Sequence, residues 1–159
     1  MNTPTSLAPT PGQTVGPFFS FALARDGYAD LVPPGRPDAI TLHGQVLDGA
    51  GDPVPDALVE LTRGNGGWGR AATDDEGRYS FTTPAPVGQF FAITLFARGL
   101  LDRLFTRAYL PDAADAPFLQ DLPADRRTTL VATADQHGYR FDIRLQGDDE
   151  TVFLAFPQD

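Results

Sequence analysis

The segment from Phe90 to Leu110 constrains the fold more than any other, because it is the most apolar part of the chain. Its sequence is FFAITLFARGLLDRLFTRAYL, with Gly99 near the middle, where a tight turn would divide it into two strands. Side chains of a strand alternate between two faces. One face of the first strand carries only apolar side chains, and the other ends at Arg98. We therefore predict two central strands of a sheet.

Arg98 ends a row of side chains that are otherwise small, aromatic or a threonine, and its permanent charge needs an anionic partner. A salt bridge to a nearby carboxylate at the end of the sheet would satisfy it. Binding of an anionic ligand would satisfy it equally well. The sequence alone leaves both interpretations open.

Composition excludes several classes of protein. The chain of 159 residues contains no cysteine, so disulfides, thiolate metal sites and a cysteine nucleophile are impossible. Its net charge is −9, all 12 basic residues are arginines, and no basic cluster occurs, which argues against nucleic-acid binding. No apolar run approaches the ~18 residues of a membrane span, and the N-terminus lacks the features of a secretory signal. We expect a cytoplasmic protein without a membrane partner.

The chain divides into a short arm and one domain. Residues 1–12 lack periodicity and predict a flexible arm, and residues 13–159 predict a single β-sandwich domain. Gly16 and Pro17 permit a tight loop, because glycine tolerates positive φ and proline fixes φ. Three phenylalanines follow at Phe18, Phe19 and Phe21. They either enter the core of this domain, which we favour, or anchor the arm on another chain.

Short β-rich runs separated by turn residues account for the rest of the chain. Residues 39–48 and 57–63 predict neighbouring strands, and residues 69–83 predict two strands around a hairpin turn at 74–77. Three further strands are expected in residues 128–134, 138–146 and 151–156, after an acidic loop at 111–123. Eight or nine short strands without a long helix predict an all-β, antiparallel sandwich with long loops.

Residues that could carry chemistry are few. His43 and His137 are the only histidines; His43 is expected in a strand far from any second ligand, and His137 in a turn. No Gly-x-Ser-x-Gly elbow occurs, and neither histidine has an evident serine partner. We expect no catalysis by this chain alone.

Four segments together resemble the intradiol ring-cleaving dioxygenases, and in particular the α-type subunits of heteromeric members. They are QTVGPF at 13–18, GRAATDDEGRYSF at 69–81, LFARGL at 95–100, and YRFDIRLQG at 139–147 with ETVF at 150–153. Each motif alone is weak, but together they span residues 13–156. The resemblance implies a prealbumin/transthyretin-like, Greek-key sandwich and a homologous β subunit, with αβ pairs in a larger oligomer.

The resemblance also implies where the iron belongs. The family's Fe(III) is held by two tyrosines and two histidines, and the histidines lie two residues apart on one strand. Here those two positions are Phe90 and Ala92, which cannot bind a metal. The loops that would carry the tyrosines, before Gly69 and before Phe90, contain none. The resemblance therefore implies no metal in this chain and Fe(III) on the partner β subunit.

By the same resemblance, the chain would complete a substrate pocket with Thr14, Gly16, Pro17 and Arg98 and contain no catalytic residue. The substrate would be a dihydroxybenzoate, cleaved with O₂ between its two hydroxyl-bearing carbons. A guanidinium matches a benzoate carboxylate, and a Gly-Pro loop lets backbone approach a flat ring. Two alternatives remain, a stand-alone transthyretin-like binding module without catalysis and a self-sufficient dioxygenase with an unusual ligand set.

Overall fold

The computed structural model describes residues 10–16 and 18–156, so Pro17 and residues 1–9 of the predicted arm lie outside the described residues. The described part contains nine strands and three short α-helices. The strands are β1 Ala39–Leu47, β2 Leu58–Thr62, β3 Trp68–Ala72, β4 Arg78–Pro84, β5 Phe90–Phe96, β6 Leu104–Tyr109, β7 Thr133–Asp135, β8 Gly138–Arg140 and β9 Ile143–Arg144. The helices are α1 Phe19–Leu23, α2 Pro117–Gln120 and α3 Ala124–Thr128, with a 3₁₀ turn at Pro111–Ala113.

The strands form two sheets that face each other across the core. One sheet has the order β3-β2-β5-β6 and is antiparallel throughout. The other has the order β4-β1-β8-β7, with β9 also paired to β1. β1 runs antiparallel to β4 but parallel to β8 and β9. The predicted all-β sandwich is confirmed. No helix in the described ranges is long and apolar enough to cross a membrane.

The predicted strand pair is confirmed as β5 and β6, but only β5 is central, because β6 is the edge strand of its sheet. β5 is hydrogen-bonded on both sides, to β2 and to β6, so it lies inside its sheet. Phe91, Ile93 and Leu95 point into the core and are buried, as the alternation requires. The connection is longer than a tight turn, because the strand pairing stops at Leu95 and Leu104. Gly99 has a φ of 87° within this connection.

Two predicted strand pairings are wrong. β3 and β4 do not form a hairpin, and β1 and β2 are not neighbours, because each pair is divided between the two sheets. The predicted turn itself exists, since the Gly77 N–H donates to the carbonyl of Asp74 (2.9 Å). Turn residues specify a reversal of the chain but not its pairing partner. Tyr79 and Phe81 are buried residues of β4, which belongs to the sheet opposite β3. The chain therefore crosses from one sheet to the other at this turn.

The C-terminal strands are shorter than predicted. Residues 138–146 form two strands, β8 and β9, because the chain between them leaves the ladder. The Asp142 carboxylate accepts a hydrogen bond from the Gln45 N–H there (3.0 Å). Residues 151–156 form no regular strand, although the Leu154 N–H donates to the carbonyl of Phe105 (2.8 Å). The predicted run at 128–134 includes the end of α3 and only part of β7.

Gly44 permits close packing where β1 meets the segment between β8 and β9. A Cβ at Gly44 would lie 1.9 Å from the carbonyl oxygen of Phe141. The buried Tyr79 hydroxyl donates a hydrogen bond to the same oxygen, and burial raises the pKa of Tyr79 well above its ordinary value. No side chain fits at residue 44 without moving backbone.

A second apolar cluster covers the outer face of β5 and β6 near Phe90. It contains the buried Tyr109, Ala116, Leu119 and Leu130, with Phe90 and Phe118 packed against them. Tyr109 comes from β6, whereas the rest of the buried set comes from the helical segment after it. The cluster therefore packs against Phe90, which is half-buried, whereas Ala92 on the same face of β5 is exposed.

Candidate functional site

The predicted arm continues through residues 13–16 and 18–23, and this extended arm and the loop after β5 enclose one groove. The Gly99 N–H donates a hydrogen bond to Oγ1 of Thr14 (2.9 Å) and so joins two segments that are far apart in sequence. The groove has a volume of about 300 Å³, between Gln13, Thr14 and Val15 on one side and residues 96, 97 and 100–103 on the other, and Arg98 is not among its lining residues. Two of the sequence-predicted site residues, Thr14 and Arg98, thus belong to adjoining segments.

Arg98 already has an internal partner. Its Nη2 lies 3.3 Å from Oδ2 of Asp56, and the side chains are 49% and 36% exposed. The salt-bridge interpretation of Arg98 is therefore correct for the chain by itself. About half of the Arg98 side chain is exposed to solvent, and a ligand-binding role remains a prediction. Gly16 is exposed, and Pro17 lies outside the described residues.

At the other end of β5, the two positions predicted to replace iron ligands face β6. Phe90 is paired with Tyr109, and Ala92 with Arg107. The guanidinium carbon of Arg107 lies 4.3 Å from the ring centroid of Phe90 and 4.6 Å from that of Phe118. Arg107 Nη1 also donates to the Tyr109 hydroxyl (3.3 Å). The positively charged guanidinium of Arg107 thus lies beside Phe90, next to the two positions that hold histidines in the family.

The loops implied to carry tyrosines in the family contact each other here. They connect β2 to β3 and β4 to β5. The Arg63 Nη2 donates to the carbonyl of Ala85 (3.0 Å), and the Val87 N–H donates to the carbonyl of Arg63 (3.1 Å). The two loops contain no tyrosine and no histidine, the phenol of Tyr109 beside Phe90 already accepts a hydrogen bond from Arg107, and the Arg107 guanidinium would repel a metal cation. A ferric ion does not fit these residues.

The two histidines are closer together than we expected. Their ring centroids lie 6.2 Å apart, because parallel pairing of β1 with β8 brings His43 beside the β7–β8 turn. His43 Nε2 lies 3.1 Å from Oδ2 of Asp135. A hydrogen bond from the His137 N–H, followed by the contact with His43, holds the pKa of Asp135 below its ordinary value. The expectation that His43 lies far from a second ligand is wrong.

These histidines line a cleft of about 880 Å³, whose walls come from β1, β4 and the β7–β8 turn of one sheet and from β3 of the other. Two of its arginines have carboxylate partners, since Arg70 contacts Glu60 and Arg140 contacts Asp142. Over residues 10–16 and 18–156, no group of three or more His, Cys, Asp or Glu side chains could hold a metal ion. The cleft includes none of Thr14, Gly16 and Arg98.

Phe18 and Phe21 do not enter the core, contrary to the interpretation we favoured. Their side chains are 76% and 79% exposed, and their rings make an edge contact with centroids 6.1 Å apart. The five-residue helix α1 is too short to bury both faces, and only Ser20 is buried in it. The end of the arm therefore presents an exposed aromatic pair.

Sequence reasoning missed two charged residues, Asp56 and Arg107. Antiparallel register would have placed Arg107 opposite Ala92 if the length of the β5–β6 connection had been known. No local signal singles out Asp56, because its partner lies 42 residues away.

Comparison with known proteins decides the family. The chain is 38% identical, over 195 residues, to the protocatechuate 3,4-dioxygenase alpha chain of Burkholderia cepacia, with 94% of this chain and 98% of that protein covered. The chain belongs to the family of protocatechuate 3,4-dioxygenase alpha chains. The alpha chain of Pseudomonas putida is 32% identical, with 96% and 100% covered. Members of this family are subunits of intradiol dioxygenases, which are oxidoreductases.

A beta chain is related as well. The protocatechuate 3,4-dioxygenase beta chain of Burkholderia cepacia is 31% identical over 157 residues, with 72% of this chain and 67% of that protein covered. Residues 41–98 match the carboxypeptidase regulatory-like domain family. The 195 aligned residues of the alpha-chain comparison exceed the 159 of this chain, so the relative contains segments that this chain lacks.

Solved structures agree on the fold. The dioxygenase domain of a dioxygenase and carbohydrate-binding protein fusion from Streptomyces sp. SirexAA-E superposes with a TM-score of 0.57 at 21% identity, with 88% of this chain and 99% of that chain covered. Catechol 1,2-dioxygenase from Pseudomonas arvilla C-1 has a TM-score of 0.52 at 19% identity, with 74% and 55% covered. These similarities support the predicted sandwich.

Proposed function

We propose that this chain is the alpha subunit of a protocatechuate 3,4-dioxygenase and completes the substrate pocket of an iron-bearing beta subunit. In the proposed reaction, both atoms of O₂ are inserted as the ring of 3,4-dihydroxybenzoate opens between its hydroxyl-bearing carbons. The product is 3-carboxy-cis,cis-muconate. The membership in the alpha-chain family supports the substrate, and the related beta chain supports the partner.

The distance between the two ends of β5 carries the proposal that the pocket is shared. Arg98 lies eight positions after Phe90 and two beyond the end of β5, which is up to roughly 26 Å at about 3.3 Å per residue in a strand. An arginine side chain is far too short to bridge this distance. Arg98 could therefore not bind a substrate held beside Phe90 and Ala92 in its own chain. The metal centre that Arg98 serves would belong to another chain.

The beta subunit would hold Fe(III), whose chemistry is the activation of the bound diol for attack by O₂. The residues of this chain would supply no ligand and would move no proton. Arg98, whose side chain is half exposed and contacts Asp56 through Nη2 alone, would bind the carboxylate of the substrate. The backbone at Gly16 and Pro17 would lie against the ring, and Thr14 would hold this arm to the Arg98 loop.

The exposed pair Phe18 and Phe21 supports a partner at the same end of the arm. Two large apolar side chains in contact and open to solvent favour burial against another protein. We infer that they pack on the beta subunit and bring Thr14 and Arg98 to the iron. Aromatic anchors commonly contribute much of the binding energy of an interface.

Replacement of Arg98 tests the pocket role in the enzyme assembled with its beta chain. Arg98→Ala should raise the KM for protocatechuate about ten- to a hundredfold, because a hydrogen-bonded charge contributes roughly 1.5–3 kcal/mol. Catechol lacks the carboxylate, so its turnover should change little. Arg36→Ala is a matched control, since Arg36 is also 49% exposed and paired with one aspartate, Asp38.

Equal loss on both substrates would contradict the carboxylate role of Arg98. Metal analysis of the isolated chain tests the location of the iron. Stoichiometric ferric iron with a tyrosinate absorption band would contradict the proposal and favour a self-sufficient dioxygenase. Failure to assemble with a co-expressed beta chain would favour the stand-alone binding module.

A further inference from the structure

Asp56 is held in place beside Arg98 by the buried chain that follows it. The Ala57 N–H donates to Oγ1 of Thr73 (2.8 Å), and the Thr73 hydroxyl donates to the carbonyl of Val54 (2.8 Å). Ala57 is fully buried. These bonds fix the backbone on both sides of Asp56, so the fold sets the direction of its Cα–Cβ bond, and the contact with Arg98 places its carboxylate.

The backbone at Asp56 is unusual. Its φ is 62°, and it is the one residue other than glycine with a positive φ in the described ranges. Asp and Asn tolerate this left-handed conformation better than most residues, but glycine would adopt it at the lowest cost. Such backbone conformations concentrate at functional sites. The residue at this position places a carboxylate beside Arg98, where glycine would leave the guanidinium without this partner.

We propose that Asp56 is a specificity-determining residue that competes with the substrate carboxylate for Arg98. This inference rests on the proposed function, because it assumes that Arg98 binds the carboxylate of an aromatic acid. A single guanidinium nitrogen contacts Asp56 at 3.3 Å, which is long for a charge-assisted hydrogen bond. An incoming carboxylate that bonds Arg98 with two oxygens in parallel would displace it.

Competition has a consequence for selectivity. A neutral catechol does not need Arg98 and is unaffected by its partner. An aromatic acid has to replace Asp56, so part of its interaction with Arg98 is offset by the lost ion pair. Asp56 thereby weakens the binding of any anion that makes only one contact with Arg98. Only a ligand with a well-placed carboxylate displaces it.

The test uses the enzyme assembled with its beta chain and two substrates, protocatechuate and catechol. Asp56→Asn keeps the shape and tolerates the same φ, and Asp56→Gly removes the side chain from a position that suits glycine. Both should lower the KM for protocatechuate by about two- to fivefold, as expected for loss of a half-exposed ion pair. The kcat and the KM for catechol should stay unchanged.

Asp52→Asn is the matched control for charge. Asp52 lies four residues earlier in the same connection, and its backbone N–H bonds the Asp48 carboxylate. The substitution removes one negative charge from the chain and leaves the Arg98 contact intact. If it lowers the KM for protocatechuate as much as Asp56→Asn does, general repulsion explains the effect and the inference is overturned.

The Arg98 variant separates this inference from the proposed function. If Arg98→Ala raises the KM for protocatechuate selectively but Asp56→Asn leaves it unchanged or raises it, the proposed function stands and competition by Asp56 is refuted. If Arg98→Ala has no selective effect, the proposed role of Arg98 fails, and any effect of Asp56→Asn then has another cause. Asp56→Asn in the Arg98→Ala background should have no further effect.

Discussion

The bond between Thr14 and Gly99 offers the sharpest test of the groove. Thr14→Val keeps the branched shape but removes the hydroxyl that accepts the Gly99 N–H at 2.9 Å. A neutral hydrogen bond contributes about 0.5–1.5 kcal/mol, and both residues are exposed, so the lower part of this range applies. We therefore expect the docked position of the arm to be destabilised by about 0.5–1 kcal/mol.

That free energy corresponds to about a two- to fivefold rise in the KM for protocatechuate in the assembled enzyme, because the arm and the Arg98 loop would no longer be held together. kcat should change little, since Thr14 is not proposed to touch the reacting atoms. Amide hydrogen exchange gives an independent measurement. Exchange at Gly99 should become faster by a similar factor, because its N–H loses its acceptor.

Thr14→Ser is the control, because serine retains the accepting oxygen. It should preserve both the KM and the slow exchange at Gly99. If Thr14→Val leaves exchange at Gly99 unchanged, the bond does not form in solution. If Thr14→Ser impairs the enzyme as much as Thr14→Val, the hydroxyl is not what holds the arm, and the reasoning is refuted.

Three further predictions concern assembly and stability. Phe18→Ser with Phe21→Ser should weaken assembly with the beta chain in size-exclusion chromatography without lowering the Tm, because both rings are exposed; a lower Tm would place them in the core. Gly44→Ala should lower the free energy of unfolding by at least about 1–3 kcal/mol in urea titrations, whereas Gly88→Ala, where a Cβ meets nothing within 4 Å, should be neutral. The folded pKa of Asp135 lies below its ordinary value of 3.8, so its ionised carboxylate should stabilise the fold at pH values above 3.8. This stabilisation should be lost as the pH falls through the lower, folded pKa. Asp135→Asn should flatten that part of the acid profile, and an unchanged profile would contradict the assignment.

Local patterns predicted the elements of this fold but not their pairing. The alternation in β5 was sufficient, because burial of Phe91, Ile93 and Leu95 depends only on a strand with one core face. The hairpin expected at 74–77 failed because the same turn can join two strands of one sheet or two opposed sheets. β4 joins the sheet that contains β1 because the two strands pair with each other, and the residues of the turn do not determine this pairing.

The candidate site shows the same division. Arg98 could be singled out in the sequence because a charge ends an apolar row, and Thr14 because it precedes a Gly-Pro loop. Their neighbours could not be identified, since Thr14 and Gly99 lie 85 residues apart, and Asp56 and Arg98 lie 42 apart. Only the folded sandwich brings these pairs together.

The two ends of β5 explain why such a chain would depend on a partner. Beside Phe90 and Ala92, the stacked guanidinium of Arg107 supplies a fixed positive charge, and each cation–π contact contributes roughly 0.5–2 kcal/mol. Replacement of Phe90 by histidine would therefore remove the stacking of Arg107 on the Phe90 ring, while Ala92 would still provide no second iron ligand. We expect such a single replacement to destabilise the chain without creating a metal site. At the other end, Arg98 forms a half-exposed ion pair with Asp56, which we propose that a substrate carboxylate displaces. The chain thus has a guanidinium where the family holds a metal, and an arginine open to solvent at the other end of the strand. This combination suits a subunit that recognises substrate for the metal of another chain.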